Sequence, residues 1–233
     1  MKLRPARKGA KRSPLFWLAS VMMAAGLVFL GFGAWNYFFA DTVDGAAKTN
    51  VAKEYGVTKT AKQFLEPKAA THLADVFARV VIPRLGGDWV RLVGEGTRWH
   101  PVLNDIGVGH YMGTARPGEV GNFATAAHRG GYGGSYKNIH RLVKGDLVYV
   151  QTNAGWYSYE YRQTKIVKPT DTNVIAAVPK ELVGSHKGGR YMTLTSCDPI
   201  YVNTNRIIVW LEMKDFVPVS AGVPAAVKWL GTK

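Results

Sequence analysis

From Leu15 to Ala40 the chain reads LFWLASVMMAAGLVFLGFGAWNYFFA, 26 residues without one charged side chain. Hydrocarbon offers a backbone no hydrogen-bond partners, so a run this apolar must satisfy its own amides as a helix, and about 20 residues are enough to cross the membrane core. A cleaved signal peptide has an apolar centre of roughly 7 to 15 residues and then small residues. This run is longer and closes on Trp35, Tyr37, Phe38 and Phe39, an aromatic belt of the kind found at membrane interfaces. Lys2, Arg4, Arg7, Lys8, Lys11 and Arg12 precede it, and Asp41 and Asp44 follow it. The positive-inside rule then places the N-terminus in the cytoplasm and everything beyond residue 41 outside the cell. The chain is expected to be a single-pass membrane protein, with a basic cytoplasmic tail over 1–14, a spanning helix over 15–40 and an extracellular working part.

Charge narrows the partners of that working part. The chain carries 30 Lys and Arg against 16 Asp and Glu, a net charge of +14; removing the six bases of the tail leaves 24 against 16. A basic ectodomain suits anionic lipid or the acidic polymers of a bacterial envelope. No RNP, zinc-finger or helix-turn-helix pattern is present, so no nucleic-acid partner is expected. Nor is there an HExxH or a paired CxxC, and neither a metal nor another cofactor is expected.

Residues 41–79 are rich in alanine and lysine, and AAKTNVAKEYGV and THLADVFARV show a modest helical period, which predicts a stalk with one or two short helices. After it, β-branched and aromatic runs alternate with Gly, Pro, Asn and Asp: VVIPRL, WVRLVG, DLVYVQT, WYSYEYRQTKIVKPT, YMTLTSC and RIIVWLEM. Helical crossovers long enough for a parallel sheet are not apparent, so the expectation is an antiparallel barrel or sandwich. DLVYVQT and WYSYEYRQT, joined by Asn153 to Gly155, read as a tight hairpin. The tail over 218–233 reads as loop plus at most a short helix.

A single cysteine, Cys197, lies in the exported part and cannot make an internal disulfide; it is a buried spectator, an intermolecular linker or a reactive thiol. Alternation in YMTLTSC brings it to the end of a strand that Asp198 and Pro199 terminate, since proline lacks the amide hydrogen for a ladder. Arg206 opens the next strand nine positions later, after a loop of eight residues, so antiparallel neighbours would present thiol and guanidinium at one end of the sheet. A permanently charged fork there can hold a thiolate or an oxyanion; the plainer alternative is a solvent-exposed arginine at a strand edge. Thiol acyl transfer also needs an acid and base. His72 and His186 lie in polar contexts, His100 abuts a proline and His140 precedes the hairpin, leaving His110 and His128. His128 ends the apolar run in GNFATAAHRGG, which again puts a polar side chain at a strand's rim.

These residues resemble the sortases, cysteine transpeptidases of Gram-positive envelopes. TLTSC at Thr193 to Cys197 is similar to the family's TLxTC motif, GNFATAAHRG carries its histidine at His128, and NTNRIIV its arginine at Arg206. HYMGTARPGEVGN, from His110 to Asn122, resembles the HYxGTAxPGxxGN signature of class E, the housekeeping group of high-GC actinobacteria. Ser196 stands where threonine is usual, and Ala127 where glycine often is. The resemblance implies a closed eight-stranded barrel with short helices over 80–217, and Cys197, His128 and Arg206 as catalytic residues. It also implies His110, Tyr111, Thr195 and Ser196 as substrate-binding residues, Tyr111 shaping the pocket for the second position of an LAxTG signal. The implied partners are the sorting signals of surface proteins or pilins, cleaved between Thr and Gly, and a lipid II-like peptidoglycan amine; membrane lipid is met through the helix. A pilin-polymerising sortase shares the three catalytic residues, although residues 41–80 lack the Asp-Pro-aromatic plug common in that group; an anchored binding module with a buried Cys197 is the alternative outside enzymes. With free thiol and imidazole titrating near 8.5 and 6.5, the expectation is a slow enzyme whose rate peaks between those values.

Overall fold

The computed structural model describes residues 13–55 and 64–231. The basic residues Lys2 to Arg12 lie outside the described residues. The chain divides into two units, one reaching Phe39 and the other starting at Ala40. In the first, Ser13 caps helix α1 (Pro14–Trp35) by accepting from the Phe16 amide, and Pro14 sits in the first turn, where its missing N–H costs nothing. No α1 residue is buried by protein, and the helix is long and apolar enough to cross a membrane.

The second unit is a closed barrel with helix α2 (Asp41–Glu54) on its wall. The strands are β1 (Val76–Val81), β2 (Val90–Glu95), β3 (Gly107–His110), β4 (Gly121–Ala126), β5 (Leu147–Gln151), β6 (Gly155–Val167), β7 (Arg190–Asp198) and β8 (Asn205–Pro218). Around the barrel their order is β1, β2, β3, β4, β7, β8, β6, β5, with β5 closing back on β1. Phe77, Val80, Val93, Val108, Phe123, Val148, Met192, Leu194, Val209 and Leu211 fill the interior without solvent exposure. Each such side chain contributes about 1.5–3 kcal/mol by leaving water. The β5–β6 hairpin turns at Asn153 to Gly155, as its turn residues foretold.

Two expectations need correction. The barrel is mixed, not antiparallel: β2 pairs parallel with β3, and β4 with β7. A short helical crossover, Trp99–Ile106, makes the first parallel pair possible, and β4 meets β7 only after the β5–β6 hairpin has been laid on the far side. The second correction concerns VFARV, whose spacing suggested a helix; it is strand β1, held between β2 and β5. Pairing on both edges overrides a weak local helical period.

The segment before β1 is built into the barrel. Buried Arg79 of β1 donates from Nη1 to the Ala52 carbonyl at 3.0 Å, placing a cation on the C-terminal end of α2. Buried Arg91 of β2 donates from Nη1 to Thr49 and from Nε to Ser135. Burial pulls both guanidiniums down to a pKa of about 10. After β8, Val227 and Leu230 of the C-terminal helical turns pack with Ala52 and Phe64 in a second apolar cluster.

Candidate active site

Register assembles the site. β7 runs antiparallel to β8 with Cys197 directly opposite Arg206. On its other edge β7 runs parallel to β4 with Thr195 level with Ala126, and the Ala127 amide donates to the Thr195 carbonyl. His128 lies two residues beyond the end of β4, and it lines the same cavity as Cys197, which lies two residues beyond Thr195 in β7. Neighbouring strands lie about 4.8 Å apart, so thiol, imidazole and guanidinium emerge from three adjacent strands at one rim. All three are half-buried and line one cavity of about 400 Å³ together with Trp99, Tyr111, Tyr132 and Thr195.

His128 is held from several sides. Its Nε2 lies 2.8 Å from Asn104 Oδ1, and the amide of Asn104 reaches His100 Nε2 at 2.8 Å. The Tyr132 ring lies 5.2 Å from the imidazole and the Trp99 ring 6.2 Å. Burial, and then the Lys48 ammonium, hold His128 below the ordinary histidine range, with the Asp41 carboxylate working the other way. Arg206 donates from Nη1 to the carbonyls of Asn203 and Asn205; among the described residues its Nε and Nη2 meet no acceptor. Buried Arg129 ion-pairs with Asp198 and donates to the Cys197 carbonyl at 3.3 Å, fixing the end of β7.

Of the residues expected to touch substrate, the structure brings Tyr111, Thr195 and Ser196 to the cavity but not His110. His110 is the last residue of β3 and has no solvent exposure; its Nδ1 lies 3.0 Å from Glu95 Oε2, and its Nε2 meets Thr114 Oγ1 at 2.9 Å. Strand alternation turns it into the barrel while Tyr111 turns out. The Thr195 hydroxyl donates to the Thr125 carbonyl at 3.1 Å, so the 3.0 Å contact with Tyr111 is one in which the tyrosine donates. The phenolic hydrogen is therefore committed within the protein. Ser196 likewise spends its hydroxyl on the Ala127 carbonyl at 2.7 Å, stitching β7 to the exit of β4.

Sequence reading missed Asn104, Lys48 and Arg129. Arg129 had a visible signal, since it adjoins His128 at the same strand exit. Asn104 and Lys48 lie 24 and 80 residues before His128, with no spacing rule to join them.

Comparison with known proteins bears on this geometry. The family described as the sortase domain matches residues 80–214. The chain belongs to the sortase family. Within the sortases the likeness is to class E: it is 37% identical to sortase SrtE2 of Streptomyces coelicolor over 128 residues, covering 52% of this chain and 50% of that protein. It is 32% identical to sortase SrtE1 of the same organism over 199 residues, covering 82% and 54% respectively. The chain thus spans about half the length of these two relatives. The solved sortase E of Streptomyces avermitilis is 42% identical with a TM-score of 0.59, covering 65% of this chain and 96% of that one. Sortase E1 of Streptomyces coelicolor, solved with a tripeptide in its active site, is 34% identical with a TM-score of 0.62 over the same shares.

Proposed function

We propose that this sortase is a membrane-anchored cysteine transpeptidase that cleaves LAxTG- or LPxTG-type sorting signals between Thr and Gly and passes the acyl group to an amine of a peptidoglycan precursor. The observation that carries the reading is that Arg206 stands opposite Cys197 in register and His128 lines the same cavity. The tripeptide in the active site of sortase E1 supports a peptide as the ligand of that cavity.

The chemistry follows from the three groups. Cys197 Sγ, as thiolate, attacks the threonine carbonyl carbon, and Arg206 donors receive the charge that develops on the carbonyl oxygen. The C–N bond breaks as His128 gives its proton to the departing glycine amine, leaving a thioester. An incoming amine then loses a proton to His128, attacks the thioester and releases the thiolate. Asn104 Oδ1 accepts from Nε2–H, which leaves Nδ1 as the nitrogen that exchanges protons. Because His128 titrates below its ordinary range, most of it is neutral at pH 7; the competent thiolate–imidazolium pair is a minority form, and turnover is slow. The basic leader orients α1 so that the barrel lies outside the cell, within reach of surface proteins and wall precursors.

The test is incubation with fluorogenic LAxTG and LPxTG peptides and an amine acceptor, read by mass spectrometry. The expected result is an acyl adduct on Cys197 and an exchanged product; cleavage with no adduct on Cys197 overturns the reading.

A further inference from the structure

Helix α2 lies far from the catalytic residues in sequence, yet it touches the loop that carries His128. Lys48 Nζ donates to the Tyr132 carbonyl at 2.6 Å. Asp41, buried, accepts from Lys137 Nζ at 3.2 Å and from the Tyr201 hydroxyl at 3.1 Å, so it ties the loop after His128 to the β7–β8 loop that leads into Arg206. Between these anchors helix and loop meet through glycines. A Cβ on Gly133, whose φ is +81°, would come within 2.9 Å of the Gly45 nitrogen, and one on Gly45 within 3.2 Å of the Gly133 carbonyl oxygen. Side chains at either position would force the two apart. With Arg79 on the last turn of α2 and Arg91 on Thr49, the helix is fixed along its length.

We propose that α2 is a wall of the catalytic end and not a spacer, with Lys48 and Asp41 as positioning residues that fix the loops bearing His128 and Arg206 and set two opposed charges near the imidazole. The inference rests on the transpeptidase reading for its consequence in turnover, but its physical content concerns the His128 ring alone. The charged and titratable groups around that ring are Lys48 and Asp41 from α2, Tyr132 and Arg129 from its own loop, Cys197 from β7 and Arg206 from β8, with neutral Asn104 at Nε2. Lys48 is itself partly desolvated, so its charge is poorly screened at short range.

The experiment follows the His128 ring signal by NMR through a pH titration of the full chain in detergent micelles, for the wild type, Lys48→Met, Lys48→Arg and Asp41→Asn. The expected result is an upward shift of the midpoint in Lys48→Met, none in Lys48→Arg, and a downward shift in Asp41→Asn. Loosening of structure alone exposes the ring in every variant and moves all midpoints one way, so shifts of the same sign, or no shift, overturn the proposal. Thermal melts of the same samples confirm that each variant is folded. In peptide cleavage, the acid limb of the rate profile should move with the NMR midpoint. The titration needs no turnover, so failure of the cleavage assay with intact NMR shifts counts against the transpeptidase reading and not against this one.

Discussion

Two histidines stand at the ends of adjacent strands of one barrel and do opposite things. His110 closes β3 inside the core, where it meets buried Glu95, which also pairs with the partly buried Arg116, and Arg116 reaches on to the Ala70 carbonyl. His128 follows β4 at the rim, its Nε2 hydrogen-bonded to a neutral amide, and its charged neighbours Lys48 and Asp41 pull its titration in opposite directions. Full burial against Glu95 and Thr114 keeps the His110 ring away from any ligand. An amide partner, partial exposure and opposed charges leave a ring able to take up and give back a proton. On the proposed reading, the same residue type is structural in one setting and chemical in the other because of what surrounds it.

The largest way to break the comparison is at the rim. Cys197→Ala or His128→Asn should lower peptide cleavage by roughly 10³-fold or more while the melting temperature stays near wild type, because both side chains are half-buried and neither anchors the core. Cleavage kinetics beside thermal melts check this. A large loss of stability in His128→Asn would make the two histidines alike and erase the distinction.

The converse prediction concerns stability. Burial alone would raise the Glu95 pKa, but hydrogen bonds and charge from His110 and Arg116 bring it below the ordinary 4.5. A carboxylate depressed in the folded state adds stability that is fully present above the unfolded value and is lost as pH falls through the folded one. Acid unfolding should therefore steepen below about pH 4.5, where the unfolded chain begins to take up the proton first. Glu95→Gln should flatten that dependence and cost about 1.5–3 kcal/mol at pH 7, since it removes the charge that accepts from both His110 and the partly buried Arg116. Urea denaturation across pH measures both, and the fraction that remains folded should keep its rate per molecule.

How far these roles could be read from sequence depends on what fixes each one. Strand alternation and the proline after Asp198 put Cys197 at a strand end, and the short connection to Arg206 put the guanidinium opposite it; local periodicity is enough for both. His110 lies away from the cavity although the signature around it suggested substrate contact, because the direction of one side chain depends on strand phase, which flips with every residue. β1 was read as helical because its pairing partners lie in other parts of the chain. Asn104 and Lys48 carry no local mark of their role. They reach His128 through a crossover turn and through a helix seated by two buried arginines, both tertiary facts.

Asn104 offers a finer cut. Asn104→Ala should reduce kcat roughly tenfold with KM nearly unchanged, the effect of losing about one oriented hydrogen bond that serves the transition state more than the bound peptide. Asn104→Asp tests the comparison directly, because it gives His128 the kind of partner that His110 has. The carboxylate should raise the midpoint of the His128 ring and move the acid limb of cleavage upward. If Asn104→Asp instead leaves the pH profile in place, the neutrality of the partner is not what keeps His128 exchangeable.

The smallest expected effect lies at Tyr111, where ring and hydroxyl can be separated. The hydroxyl hydrogen goes to Thr195, whose own goes to the Thr125 carbonyl, so this short chain of bonds braces β3 against β7 and offers no hydrogen to a ligand. The ring still lines the cavity. Tyr111→Phe should therefore cost about 1 kcal/mol of stability, leave the ratio of LAxTG to LPxTG cleavage where it was, and change either rate by no more than roughly threefold, or less than 1 kcal/mol of barrier. Tyr111→Ala removes the packing surface as well and should bring the two rates together. Peptide competition read by mass spectrometry distinguishes the cases: a ratio that collapses already in Tyr111→Phe would mean the hydroxyl leaves Thr195 when peptide binds, and that selectivity at this rim comes from a hydrogen bond and not from shape.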